Sequence, residues 1–118
     1  SVGICHAQPP TDDWEDVAMG NCSHYHIQEM MWGRSDVKNV RPPVDNVTYT
    51  VHGHTPCKKP IINQNRIFID SGAVFYEHKD LIILNISQDP KEALLKTGEV
   101  FLHEEYVEPE PREFDDDF

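Results

Sequence analysis

Three side chains far apart in the chain, His6, Arg34 and His54, are of types that do chemistry together. A neutral imidazole offers a nitrogen lone pair to divalent transition metals, and a guanidinium is the preferred fork for the paired oxygens of a phosphate. Two imidazoles and one guanidinium gathered at one place suit metal-assisted chemistry on a phosphoryl group. Solvated side chains scattered at element ends would have the same composition, and residue type alone does not choose between the two. Other groupings read as structural. Cys22, His24 and His26 are two residues apart, so their side chains leave a helix in different directions. Cys5 beside His6 resembles a nucleophile and its base, but strand neighbours point to opposite faces, which makes Cys5 a buried thiol. Met30 and Met31, beside Trp32, read as core filling.

The elements that must position these groups follow from the pattern. Ser1 to Cys5 is apolar and β-prone, and it delivers His6 to a strand end where Pro9-Pro10 stops the ladder. Capping residues and acids around Thr11 to Asp16 predict a helix near Asp13 to Met19, and a second helix runs from about Ser23 to Trp32. Gly33 ends it, placing Arg34 in the turn. Ser35 to Asn46 reads as a polar loop. Val47 to Val51 is a strand leading into His52-Gly53-His54-Thr55-Pro56, where Gly53 is expected to let the backbone come close and Pro56 to turn the chain. Asn63 to Asn65 is a hairpin turn, Arg66 to Asp70 a strand, and Leu81 to Ile86 a buried strand. Asp89 to Lys96 is a helix with Pro90 in its first turn. The domain is expected over residues 1–98, and 99–118 as a loosely held arm and a disordered acidic tail.

Charge and cysteine content exclude several classes. In the stretch from His103 eight carboxylates oppose Arg112, so it carries −7 of the formal −11. Nothing gathers Lys or Arg on one face, which argues against nucleic-acid binding. No apolar run approaches the ~20 residues of a membrane span, and no signal-peptide pattern is present. Three cysteines at unpatterned spacings fit reduced thiols, hence a cytoplasmic setting. The chain opens at Ser1 on what reads as the middle of a strand, so a removed start or a longer protein is expected.

Four segments together carry a resemblance: Ile4-Cys5-His6-Ala7, Met31-Trp32-Gly33-Arg34, His52-Gly53-His54-Thr55-Pro56 and Ile69-Asp70-Ser71-Gly72-Ala73-Val74-Phe75. In this order they resemble the phosphoprotein phosphatase branch of the calcineurin-like metallophosphoesterases. The likeness is greatest to the bacterial and bacteriophage lambda type of serine/threonine phosphatase, with diadenosine-tetraphosphate hydrolases close behind. The resemblance spans about Val2 to Ile86. It implies an α/β fold, the C-terminal half of a β-sandwich flanked by helices, incomplete as an isolated domain. It implies hydrolysis of phosphomonoesters through a metal-activated water, with two divalent ions about 3.5–4 Å apart. Manganese is favoured; iron, zinc or nickel would also be accepted. His6 and His54 match ligands of one of those ions, and Arg34 matches an arginine that holds the phosphoryl oxygens. Asp70 or His52 is a candidate for orienting a ligand ring.

The same resemblance implies that half of the site is elsewhere. The family's motifs Gly-Asp-x-His-Gly, Gly-Asp-x-x-Asp-Arg-Gly and Gly-Asn-His-Glu do not occur in this chain. The implied partners are a phosphorylated protein or other phosphoester and the missing N-terminal half. A non-catalytic relative that binds protein or metal, or part of a dinucleoside-polyphosphate hydrolase, are the alternatives. Half a sandwich leaves apolar faces and strand edges uncovered, so the isolated chain is expected to self-associate. Sedimentation velocity should therefore show species larger than the monomer; one well-behaved monomeric boundary would remove this expectation.

Overall fold

The computed structural model describes residues 1–75 and 79–109. Strand β1 (Val2–Ile4) is followed by helices α1 (Trp14–Ala18), α2 (His24–Trp32) and α3 (Ser35–Lys38), then by strand β2 (Tyr49–His52). A hairpin of β3 (Ile61–Asn63) and β4 (Arg66–Phe68) comes next, then helix α4 (Pro90–Thr97) and strand β5 (Phe101–Leu102). The strands form one mixed five-stranded sheet in the order β1-β2-β4-β3-β5. β1, β2 and β4 are mutually parallel, β3 runs antiparallel to β4, and β5 runs parallel to β3. The result is a mixed α/β domain, and among the described residues no helix is long and apolar enough to cross a membrane.

Local chemistry explains the helix limits. Asp13 caps α1 by accepting from Glu15 N. Ser23 caps α2, and His26 closes a reciprocal capping box on the Ser23 N–H. Asp89 accepts from Lys91 N and Glu92 N at the start of α4, Pro90 occupies the first turn, and Gly98 ends the helix at φ +69.

Register divides the sheet into two faces. On one lie Gly3, Thr50, His52, Arg66 and Phe68, covered by the α1–α3 connection. A Cβ on Gly3 would collide with the Trp14 indole, so glycine is needed for that contact. On the other face Ile62 and Ile67 pair in register and pack with Leu94 of α4, helped by Tyr49, Ile69, Leu84 and Val100. The β1–β2 end of this second face stays open. There a groove of about 470 Å³ is lined by apolar side chains, among them Ile4, Val51, Ile69, Val74 and Leu81.

Three expectations change. The stretch 35–46 is not simply a polar loop, because it contains α3 with Asp36 and Val37 buried. Leu81 to Ile86 is not a buried strand. It finds no pairing partner among the described residues, and Leu81 and Ile83 are largely exposed. The arm after Gly98 is tied down, since β5 joins β3, His103 Nε2 meets the Val37 carbonyl at 2.7 Å, and Gln64 donates to the Glu104 carbonyl. The last part of the acidic tail, 110–118, lies outside the described residues.

A buried charge cluster fixes the α1–α3 connection. Arg66, only 1% exposed, reaches Asp12 Oδ1 at 2.8 Å, Asp36 Oδ2 at 3.0 Å and the Pro42 carbonyl. Its Nε sits at ion-pair distance from Asp36 without the alignment of a hydrogen bond. Arg41 Nη2 donates to both carboxylate oxygens of Asp12 at 2.9 Å. Removing one partner of a buried ion pair strands the other in a medium that solvates it poorly, at a cost of about 3–5 kcal/mol. Arg66→Met should lower the unfolding free energy by that amount in urea titrations followed by circular dichroism. A loss under about 1 kcal/mol, the size of a surface pair, would show the cluster is not needed.

Candidate functional site

Because β1, β2 and β4 are parallel, the residues after each arrive at one rim of the sheet: His6 after β1, His54 after β2 and Asp70 after β4. Gly53 N donates to the His6 carbonyl at 2.8 Å, which ties the first two ends together. His6 Nε2 faces His54 Nδ1 at 3.1 Å. Arg34, at the junction of α2 and α3, brings its Nε to 3.5 Å from His54 Nε2, a long contact. The three residues singled out in the sequence thus meet at one place.

The backbone at His54 differs from expectation. Gly53 is not where the unusual conformation lies, and a Cβ there would sit at ordinary contact distance, 3.8 Å, from the His6 carbonyl. His54 itself takes φ +65, and Thr55 N closes a tight turn onto the Gly53 carbonyl at 2.7 Å. A non-glycine residue at positive φ is strained, and such strain persists only where surrounding contacts hold it. Here Trp32 stands edge-on to the His54 ring, with centroids 5.7 Å apart and planes at 82°.

Gln8 is a residue the sequence did not single out, and it sets where Arg34 lies. Buried just after β1, its amide donates to Glu29 at 2.6 Å and Ser35 at 3.2 Å, and its carbonyl accepts from Asp36 N at 2.9 Å. It thereby clips the end of α2 to the start of α3. A Cβ on Gly33 would fall on the Gln8 amide, so this glycine is required by packing. Met31 is no core filler: it is 48% exposed, and the neighbouring Trp32, 63% exposed, stands beside His54. The adjacency Trp32-Gly33-Arg34 was the available signal.

His52 and Cys5 have structural partners. His52 is buried, with Nδ1 3.0 Å from the Cys5 carbonyl and Nε2 2.7 Å from Thr50 Oγ1. It therefore acts on the backbone leading to His6, not on a ligand ring. Asp70 accepts from Gly72 N. The Cys5 thiol donates to the Gln8 carbonyl, and burial pushes it up to about 11, so it stays protonated. His54 is held below its ordinary value, first by loss of hydration, then by the charges of Arg34 and His6. A lowered value keeps the lone pair available near neutrality.

At 3.1 Å the two ring nitrogens are within hydrogen-bond distance of each other, and the same separation is compatible with two ligands of one divalent ion. Nitrogens each about 2.1 Å from one ion lie about 3.0 Å apart at a right angle and about 3.4 Å apart at the tetrahedral angle. The observed 3.1 Å falls within that range. Among the described residues no cluster of three or more His, Cys, Asp or Glu is arranged to hold a metal. No protein-family model matches the chain, and no curated protein matches it.

Burial of His52 lowers its imidazole from 6.5 to about 4. The unfolded chain then takes up the proton first, so the contribution of His52 is complete above about pH 6.5 and is lost as pH falls towards 4. The full loss is about 3 kcal/mol. Urea midpoints at pH 7 and 4.5 should differ more for the parent chain than for His52→Gln. Equal pH dependence in both would show that His52 is not the titrating group.

Proposed function

We propose that this chain is one wall of a metal-dependent phosphoesterase site of the phosphoprotein phosphatase type, acting on phosphomonoesters of protein side chains. The sequence segments around His6, Arg34 and His54 support the reading, and the observation that carries it is their meeting at one sheet rim with 3.1 Å between the imidazole nitrogens. On this reading the domain is half of a β-sandwich flanked by helices, and the motifs that supply the other ligands lie outside these 118 residues.

Divalent ions, when bound, polarise phosphoryl oxygens and lower the pKa of water. The part of this chain is to supply and orient groups. His6 Nε2 and His54 Nδ1 are the donors that point at each other. Arg34 is the cation for the phosphoryl oxygens. Among the described residues it meets no carboxylate, whereas Arg41 and Arg66 are both paired. Its fork takes two oxygens at once and offsets the charge that grows on them as the ester bond breaks. The packing of Gln8 on Gly33 keeps that fork from wandering.

Two neutral ligands hold a divalent ion weakly compared with the four of a closed site. The isolated chain with Mn²⁺ should therefore not turn over p-nitrophenyl phosphate, yet the paramagnetic ion should broaden the His6 and His54 ring resonances before any others. His54→Ala should abolish that selectivity. With Mn²⁺ present, Arg34→Ala should weaken phosphate binding about 10- to 100-fold, the worth of a lost charged hydrogen bond. Broadening that begins elsewhere, or phosphate affinity indifferent to Arg34, would overturn the reading; robust turnover by the isolated chain would overturn its half-site form.

A further inference from the structure

An exposed indole beside a phosphoryl-binding cluster has a use that the cluster itself does not. We propose that Trp32 is a stacking platform, selecting phosphoesters whose leaving group carries a flat aromatic ring over those with a short alkyl group. The proposal rests on the phosphoryl-binding role of Arg34 and His54.

The position of Trp32 is fixed. It closes α2, and the next residue, Gly33, donates its N–H to the Glu29 carbonyl at 2.9 Å while packing under the buried Gln8 amide. Trp32 and Arg34 thus stand on either side of a clamped glycine. The indole also lies 5.7 Å from the His54 ring, whose Nε2 is 3.5 Å from Arg34 Nε. A phosphoryl group held by Arg34 at this rim has its ester substituent within reach of the indole.

Trp32 is not needed for the core. The buried cluster of Ile62, Ile67 and Leu94 lies on the opposite face of the sheet, and 63% of Trp32 is open to solvent. A large aromatic surface left in water gains from being covered, and another aromatic ring covers it with favourable quadrupole geometry. A short alkyl group covers little of it. The neighbouring Met31, 48% exposed, widens the apolar shelf with a side chain that adapts to irregular shapes.

Two kinds of molecule present this chemistry: aryl phosphates, with the ring on the ester oxygen, and nucleotides, with the ring carried on a sugar. Four probes separate the cases when titrated calorimetrically into the chain with Mn²⁺: inorganic phosphate, ethyl phosphate, phenyl phosphate and adenosine 5′-monophosphate. A ring-bearing probe should bind about 3- to 10-fold tighter than ethyl phosphate, the gain of one aromatic pair. It should also shift the Trp32 indole resonances. Trp32→Leu should bring the ratio to one, and Trp32→Phe should keep part of it. Whichever ring-bearing probe binds tighter assigns the ring to the ester oxygen or to the sugar. Equal affinity for ethyl, phenyl and adenosyl phosphates, or a preference that survives Trp32→Leu, overturns the platform alone. Failure of inorganic phosphate to bind, or binding indifferent to Arg34→Ala, overturns the phosphoryl-binding reading and the platform with it.

Discussion

The side chain on which the fold depends most is a guanidinium with almost no access to water. Arg66 rises from β4 into the α1–α3 connection and engages Asp12, Asp36 and the Pro42 carbonyl. These groups belong to three parts of a long crossover that buries few apolar side chains, and α2 has no buried residue at all. Where packing is thin, position has to come from charge and hydrogen bonds. Asn63 and Asn65 in the hairpin do the same for the rest of the crossover, receiving Arg41 N and Val44 N and donating to the carbonyls of Asp36, Asn39 and Val44. Burial presses the Asp36 carboxyl towards its protonated form, and the two neighbouring arginines press it back. The cluster is held by this balance, so it specifies one arrangement of the crossover more than it adds net stability.

That arrangement reaches the rim through a short chain of contacts. Asp36, held by Arg66, donates its N–H to Gln8; Gln8 lies under Gly33; and Gly33 separates Trp32 from Arg34. The guanidinium facing the histidines is therefore positioned by another guanidinium that it never touches. His6 and His54 reach the same rim by a different route, the parallel pairing of β1 with β2. Two independent constraints converge there, one from the sheet and one from the polar crossover.

Much of this was legible in the sequence where one local rule decided the outcome. Ser23 opens α2, and Asp89, Pro90 and Gly98 bound α4, each by its own local chemistry. That His6, Arg34 and His54 each lie at the end of an element was legible from punctuation, whereas their gathering was carried by the resemblance of the four segments. What escaped depends on contacts between distant residues. The role of Gln8 needs partners at 29, 35 and 36, and nothing near Gln8 announces them. Leu81 to Ile86 has the composition of a buried strand, but composition supplies no neighbour to pair with. β5 was missed for the converse reason: Phe101-Leu102 is too short to register as a strand until β3 offers it an edge.

The contrast between His52 and His54 shows how a strand end separates two similar side chains. Two residues apart in an extended chain, they would share a face and an environment. The strand stops at His52, whose ring lies inward between the Cys5 carbonyl, Thr50 and Phe68, where a positive charge would be poorly solvated. The left-handed turn at His54 then swings the next imidazole out of that row and against His6. Were His54 in ordinary extended backbone, both rings would follow the strand and His6 would lose its facing nitrogen. The left-handed backbone at one residue is thus what divides the pair into an interior brace and an outward ring that faces His6.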